Sequence, residues 1–390
     1  MRPVIKRFGF FKKLLAVGIC LLILLPTSCR SILAPGSNEP LPNQENLFAR
    51  KQLDELDGDK DHLVENYDRI ARALYAKETA VKLSRLNPVN ESELGRIMEA
   101  VQLDLSDVFW MNTEYRGTVQ DEKVILVEFA YFSNLLDQDE AFEAGIQRLL
   151  EDAHLTSEMS LVEKELALHD ALCRFVTFSG KTEHAFSAYD AIVNGEATSW
   201  GYAKAFHILL NRVGISSFVV FGKTAEHGNY TDFAWNLIQL EDGYCYTDIV
   251  WGDLLISEEE HEIPYYLYFN RSLAEFNADH FPETSFLLPE GSEDWNYYRQ
   301  FPESGVEGNM NSADPKFRSS IVSQIRENKT ARLYILDADP ATLEEDFYEW
   351  FTLLGGAFAN ALGWKNGFTY AFSCYGREAH LYIGPPSKTN

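Results

Sequence analysis

The sequence predicts an α+β protein, and three observations carry that prediction. Helical and strand periodicities alternate: Leu161, Leu168, Leu172 and Phe175 fall on one helical face, whereas Val124–Phe132 (VILVEFAYF) is a mixed apolar strand run. In the centre, a helix pattern over Ser199–Gly214 leads into the strand patterns Ser217–Phe221, Phe233–Leu240 and Tyr244–Trp251. Towards both ends, at 79–132 and 330–384, the order strand–helix–strand–strand recurs with little residue identity, which suggests a duplicated small α/β unit.

The elements justify themselves in chain order. Residues 1–30 carry Arg2, Lys6, Arg7, Lys12, Lys13 and Arg30 and no acid, and Leu14–Leu25 is apolar throughout. A basic start, a short apolar run and a small-residue exit at Pro26-Thr27-Ser28-Cys29 describe an export signal. Twelve apolar residues fall short of the ~20 that span a bilayer. Ser28-Cys29 resembles a bacterial lipobox with Cys29 as lipidation site; Pro26 departs from its usual aliphatic residue, so plain secretion and an uncleaved anchor stay open. The whole chain has a net charge of −25; without its first thirty residues it holds 28 bases against 59 acids, a balance of −31. Such a surface repels nucleic-acid phosphate and suits a soluble exported body. With 46% hydrophobic and 24% charged residues, the chain is of ordinary globular composition.

The expected organisation is a signal (1–30), a Pro/Asn-rich linker (31–55), an N-terminal α/β unit (56–135), a core (136–255), an irregular aromatic extension (256–315) and a C-terminal α/β unit (316–390). In the N-terminal unit Tyr67–Leu74 reads as helix, Thr79–Leu83 as strand, Glu91–Leu105 as helix, and Val108–Tyr115 and Lys123–Phe132 as strands. In the C-terminal unit Ala331–Leu336, Phe368–Cys374 and His380–Ile383 read as strands and Thr342–Leu362 as helix. Cys173, Cys245 and Cys374 are too few and too widely spaced for a disulfide framework or structural zinc. Cys173 and Cys245 read as core. The acidic run Glu258–Glu262 reads as a solvated face.

The centre carries the chemistry. Tyr202, Ala205, Phe206, Leu209, Leu210 and Val213 bury one helix face, which puts Ser199 at the helix N-terminus. A two-residue turn at Asp242-Gly243 would set Phe233 and Asp248 on one sheet face. A helix N-terminus on an antiparallel sheet is the layout that lowers a thiol's pKa and pairs it with a strand histidine and an acid. The segment Tyr189–Phe206 (YDAIVNGEATSWGYAKAF) resembles the nucleophile motif of the transglutaminase-like superfamily, Phe233–Leu237 (FAWNL) its histidine motif and Tyr246–Trp251 (YTDIVW) its aspartate motif. Bacterial envelope, cytokinesis and kyphoscoliosis-type members share this spacing. The resemblance covers about 160–255, extends loosely into 104–112 and 294–299, and implies a papain-like core flanked by smaller α/β units.

At the family's cysteine stands Ser199 and at its histidine Phe233; only Asp248 matches. A serine without a base is essentially not a nucleophile, and phenylalanine relays no proton. The expectation is a transglutaminase-like pseudoenzyme that binds or scaffolds at the bacterial envelope, with Trp200, Tyr202, Trp235 and Trp251 lining its cleft. The alternative is a hydrolase or acyltransferase that uses Ser199 with an unrecognised base, for which the loop residue His227 is one source. His184 precedes the motif helix and His207 lies two turns inside it; neither has ligand spacing. No metal, nucleotide or other cofactor is expected. Expected partners are a protein, peptide or cell-wall ligand, with no nucleic acid and membrane association through the N-terminus only.

Overall fold

The computed structural model describes residues 2–7, 41, 46–57, 62–226, 229–241, 243–252, 266, 268–277, 279–292, 294–300, 306–310, 315–328, 330–335, 337–339, 342–364, 368–375 and 378–384. Along the chain run β1 (Arg2–Arg7), α1 (Phe48–Asp57), α2 (His62–Tyr75), β2 (Ala80–Lys82), α3 (Glu91–Asp104), β3 (Met111–Gln120), β4 (Lys123–Tyr131), α4 (Asp139–Asp152) and α5 (Leu161–Phe175). The central stretch holds β5 (Thr177–Phe178), a π-turn at Asp190–Asn194, β6 (Glu196–Ala197), α6 (Ser199–Arg212), β7 (Ser217–Glu226), β8 (Asn229–Leu240) and β9 (Gly243–Thr247). The short elements α7 (Ile249–Gly252), α8 (Leu273–Phe276), β10 (His280–Pro282) and α9 (Tyr297–Gln300) follow. Last come β11 (Val306–Gly308), α10 (Pro315–Asn328), β12 (Thr330–Ile335), α11 (Leu343–Ala361), β13 (Thr369–Tyr375) and β14 (Glu378–Gly384). This mixture of helix and sheet is α+β, as the periodicities predict.

Two compact units result, one of 1–155, 175–237 and 279–288, the other of 156–174, 238–278 and 289–390. In the first, α3 starts in a full capping box. Asn90 Oδ1 accepts the Ser92 and Glu93 N–H groups, and the Glu93 carboxylate accepts the Asn90 N–H at 2.7 Å. One face of α3 then buries Leu94, Ile97, Met98 and Val101. The adjoining sheet has the order β1-β3-β4-β2, all neighbours antiparallel. Removal of an N-terminal export signal would take β1 away with it; residues 8–30, including the apolar run and Cys29, lie outside the described residues. Among the described residues no helix is long and apolar enough to cross a membrane.

Two local expectations change. Residues 31–55 are not all linker, because α1 occupies their end. Leu47, Ala49 and Leu53 bury there, and the Asp104 carboxylate accepts the Ala49 and Arg50 N–H groups at 3.0 and 2.9 Å. A cap supplied from over fifty residues away leaves no local sequence signal. Val108–Trp110 is a buried turn rather than strand, and β3 begins only at Met111.

The rest of the first unit is built on α6, which packs on β7 and buries 11 of its 14 residues, Ser199 to Ala203 among them. β10 pairs antiparallel with β7, setting His280 opposite Thr224. In the second unit the end of β8 turns at Glu241 (φ 48°) into β9, and Cys245 Sγ lies 3.7 Å from the Ile238 carbonyl. Asp242 of the expected turn lies outside the described residues. Tyr246 and Arg271 exchange backbone hydrogen bonds of 2.8 Å.

The C-terminal sheet has the order β11-β12-β14-β13, with β11 parallel to β12 and the other pairs antiparallel. Strand β11 lies within the extension expected at 256–315, yet it pairs into the C-terminal unit. Its chain order α10-β12-α11-β13-β14 repeats α2-β2-α3-β3-β4, and in each the last strand lies between the other two.

Replacing Asn90 by alanine removes one half of the capping box. It is expected to cost about 1 kcal/mol in urea unfolding, with Asn90→Asp largely neutral.

Candidate functional site

The site grows from the first turn of α6. Thr198 is extended and donates its N–H to the Ala185 carbonyl at 2.9 Å, tying residues 185–187 to the helix start. Gly201 makes that approach possible. A Cβ there would lie 2.7 Å from the Ala185 carbonyl oxygen, 2.7 Å from Ala197 Cβ and 2.9 Å from the Ser187 carbonyl oxygen. Ser199 is buried, 3% exposed, on the turn so clamped. Trp200 stacks on Phe221 at 3.9 Å and 15°. Tyr202 donates its hydroxyl to the Val176 carbonyl at 2.5 Å, and both Tyr202 and Trp235 are fully buried. They are core residues, which corrects their expected place on a cleft wall.

Phe233 on β8 is buried and meets the ring of His280 edge-on, with centroids 6.4 Å apart. His280 also stands edge-on to Trp235 at 5.0 Å, and Asp279 Oδ1 lies 2.5 Å from its Nδ1. Sequence reasoning missed this buried histidine. It sits on a three-residue strand, too short to show period-2 alternation, inside a stretch that reads as irregular. His227 lies outside the described residues.

His184 is held on both sides. Nδ1 lies 2.8 Å from Asp190 Oδ1, and Asn134 Nδ2 lies 3.3 Å from Nε2. With Nδ1–H donated to Asp190, Nε2 accepts from Asn134. Asp190 also accepts the Thr182 hydroxyl and, at 2.6 Å, Asn194 Nδ2. His207 is a buried packing residue. Its Nδ1 lies 3.2 Å from Ser217 Oγ and its Nε2 lies 3.1 Å from Asn211 Nδ2. Burial pushes its pKa down to about 4. It borders a small recess shared with Asp104 and Asp107. Burial raises both carboxyls, Asp104 to about 7 despite the Ala49, Arg50 and Tyr67 donors.

Asp248 lies in the second unit and is nearly fully buried. Its Oδ1 accepts the N–H groups of Val250 at 2.8 Å and Trp251 at 3.1 Å, capping the short α7. Trp251 meets Tyr268 edge-on at 4.9 Å. Beside β9 lies a polar cluster the sequence did not reveal. Glu165 of α5 accepts Asn270 Nδ2 at 2.8 Å and the Thr247 hydroxyl at 3.3 Å, and Cys245 Sγ lies 2.9 Å from Asn270 Oδ1. Burial raises Glu165 to about 8 against those hydrogen bonds. Cys173 Sγ lies 3.8 Å from His169 Nδ1, on the same helix face, and is buried. Among the described residues no three His, Cys, Asp or Glu side chains converge to hold a metal ion. Glu258–Glu262 lie outside the described residues.

No family model and no curated protein matches the chain. One solved structure similar in part is a crystal structure of a TGase, 14% identical over 48% of this chain, with a TM-score of 0.28. The match spans about half of that chain's length, 53%.

Two expectations follow. Gly201→Ala overpacks the helix start against backbone that cannot yield, and a destabilisation of about 1–3 kcal/mol is expected in chemical unfolding. Glu165 is raised in the folded state, so the stability it contributes is full below its unfolded value of 4.5 and is lost as pH rises through about 8. Between pH 5 and 8 unfolding free energy should therefore fall, by up to about 1.4 kcal/mol per pH unit from this group. Glu165→Gln, which mimics the protonated carboxyl, should flatten that slope.

Proposed function

We propose that the chain is an exported binding protein on a transglutaminase-like, papain-type scaffold whose thiol chemistry has been lost. Phe233 carries this reading. At the position where the family's motif places a base stands a buried aromatic ring, packed against His280 and unable to take a proton. Ser199 has no ionisable thiol for the helix dipole to act on. The Asp248 carboxylate is engaged as a helix cap. Removing members of a nucleophile–base pair costs roughly three to six orders of magnitude in rate. What remains is a folded helix-on-sheet unit available for recognition.

Export rests on the basic, apolar and small-residue succession over 1–29. Lipidation at Cys29 would anchor the body outside the cytoplasmic membrane, and intact mass of the mature protein distinguishes an acylated Cys29 from plain cleavage.

The competing reading is an acyltransferase or hydrolase built on Ser199. His184 favours it in one respect: Asp190 orients it, on the segment bonded to Thr198. Its Nε2, however, is engaged by Asn134. Residues 31–390, assayed for amine incorporation into a glutamine peptide and for amide hydrolysis, should show no turnover that Ser199→Ala removes. Turnover abolished by that substitution would overturn the binding reading.

The motif alignment has its own check. Ser199→Cys combined with Phe233→His should create a thiol alkylated by iodoacetamide below neutral pH faster than a free cysteine. An ordinary rate in a folded double variant would show that these positions do not correspond to the family's pair.

A further inference from the structure

Helix α11 of the second unit has two unlike halves. Its first two turns carry Glu344, Glu345, Asp346 and Glu349, and the residues from Trp350 to Trp364 carry no charge at all. Phe347, Phe351 and Phe358 turn inward to the core over the C-terminal sheet. On the opposite side Leu353 is 83% exposed, Thr352 and Ala357 are exposed, and a Cβ on Gly356 would meet nothing within 4 Å. The Thr352 hydroxyl donates to the Tyr348 carbonyl at 2.8 Å, so its hydrogen bond is made inside the helix. A helix that stays apolar on the side away from its own core has a second surface to bury.

Spacing and charge say what covers it. Glu349, Leu353, Gly356 and Asn360 follow one another at steps of four, three and four, the seam spacing of paired helices. That seam is its own complement. In two copies running antiparallel about a two-fold axis between Leu353 and Gly356, each Leu353 meets the other copy's Gly356, and each Glu349 meets the other's Asn360. The leucine is a knob and the bare glycine its hole. Charge selects the same arrangement. The exposed Arg326 of α10 donates from Nη2 to the Ala361 carbonyl at 2.5 Å. Ala361 stands about 18 Å along the helix from Glu349. Antiparallel pairing sets this cation beside the acidic turns of the second copy and opposes the two helix dipoles. Parallel pairing would stack Glu345 and Glu349 on themselves. An anionic lipid surface would meet the carboxylates at the helix start and a chain of net charge −25.

We propose that α11 is a homodimer interface, in which two copies of this chain pair antiparallel through Glu349, Leu353, Gly356 and Asn360. Arg326 of each copy faces Glu349 of the other. This goes beyond the binding reading and does not depend on it. One pair of helices buries less than the ~1,200 Å² at which stable interfaces begin, so the dimer is weak and concentration-dependent.

Sedimentation equilibrium of the full-length chain over roughly 1–300 μM should show monomer passing into dimer. Gly356→Leu and Leu353→Lys should each weaken that dimer at least tenfold. At the lowest concentration Gly356→Leu should melt no lower than the native chain. Within one copy the added side chain has open space, and leucine favours helix over glycine. Arg326→Glu should also weaken the dimer at least tenfold, and Arg326→Glu combined with Glu349→Arg should restore it. Only a contact between copies can give that rescue, because the two positions lie too far apart within one. A native chain monomeric throughout the range, an assembly that Gly356→Leu leaves intact, or no rescue in a folded double variant would each overturn the proposal. So would binding of the native chain to phosphatidylglycerol vesicles that Leu353→Asp abolishes, which would assign the face to lipid. The concentration series uses the native chain and holds even if a variant misfolds.

Discussion

The contact between Gly201 and the backbone of residues 185–187 sets the geometry of everything around α6. Side-chain-free space at that position lets the first helical turn lie within van der Waals range of two carbonyl oxygens. The Thr198 N–H then bonds to one of them, and Ser199 and Trp200 are carried inside the unit. Because a helix repeats every 3.6 residues, fixing that turn also fixes where Lys204, Phe206 and His207 point. Lys204 lines one small recess with Gln102, and His207 lines another with Asp104.

Charge in this protein is organised by burial. The chain is strongly acidic, yet the carboxyls of Asp104, Asp107 and Glu165 are raised because their surroundings exclude water. Each accepts hydrogen bonds that oppose the burial: from backbone N–H groups at Asp104, a tyrosine hydroxyl at Asp107, and side chains of Asn270 and Thr247 at Glu165. The Asp248 carboxylate caps a short helix. Groups held in this way help to hold the architecture.

Much of the architecture was legible in the residues. The helix at Glu91–Leu105, the apolar face of α6 and the paired strand patterns of both α/β units come from local periodicity and side-chain chemistry, which act over a few residues. Helix α1 escaped because its cap, Asp104, arrives from a distant element. His280 escaped because its strand is three residues long and its neighbours Phe233 and Trp235 are far away in sequence. Tyr202 and Trp235 looked like cleft residues because an aromatic in a motif reads the same whether it faces a ligand or the core.

By itself the sequence determined the α+β class, the basic and apolar character of its first thirty residues, and the presence of Ser199, Phe233 and Asp248 in its central stretch. These are statements of composition, short-range pattern and residue identity, and no fold can alter them. Only the tertiary structure decided that Asp248 caps a short helix, that a histidine packs on Phe233, and that Glu165, Asn270 and Thr247 form one buried hydrogen-bonded cluster. Those facts depend on desolvation and on groups brought together across long stretches of chain, and a linear pattern carries no record of either.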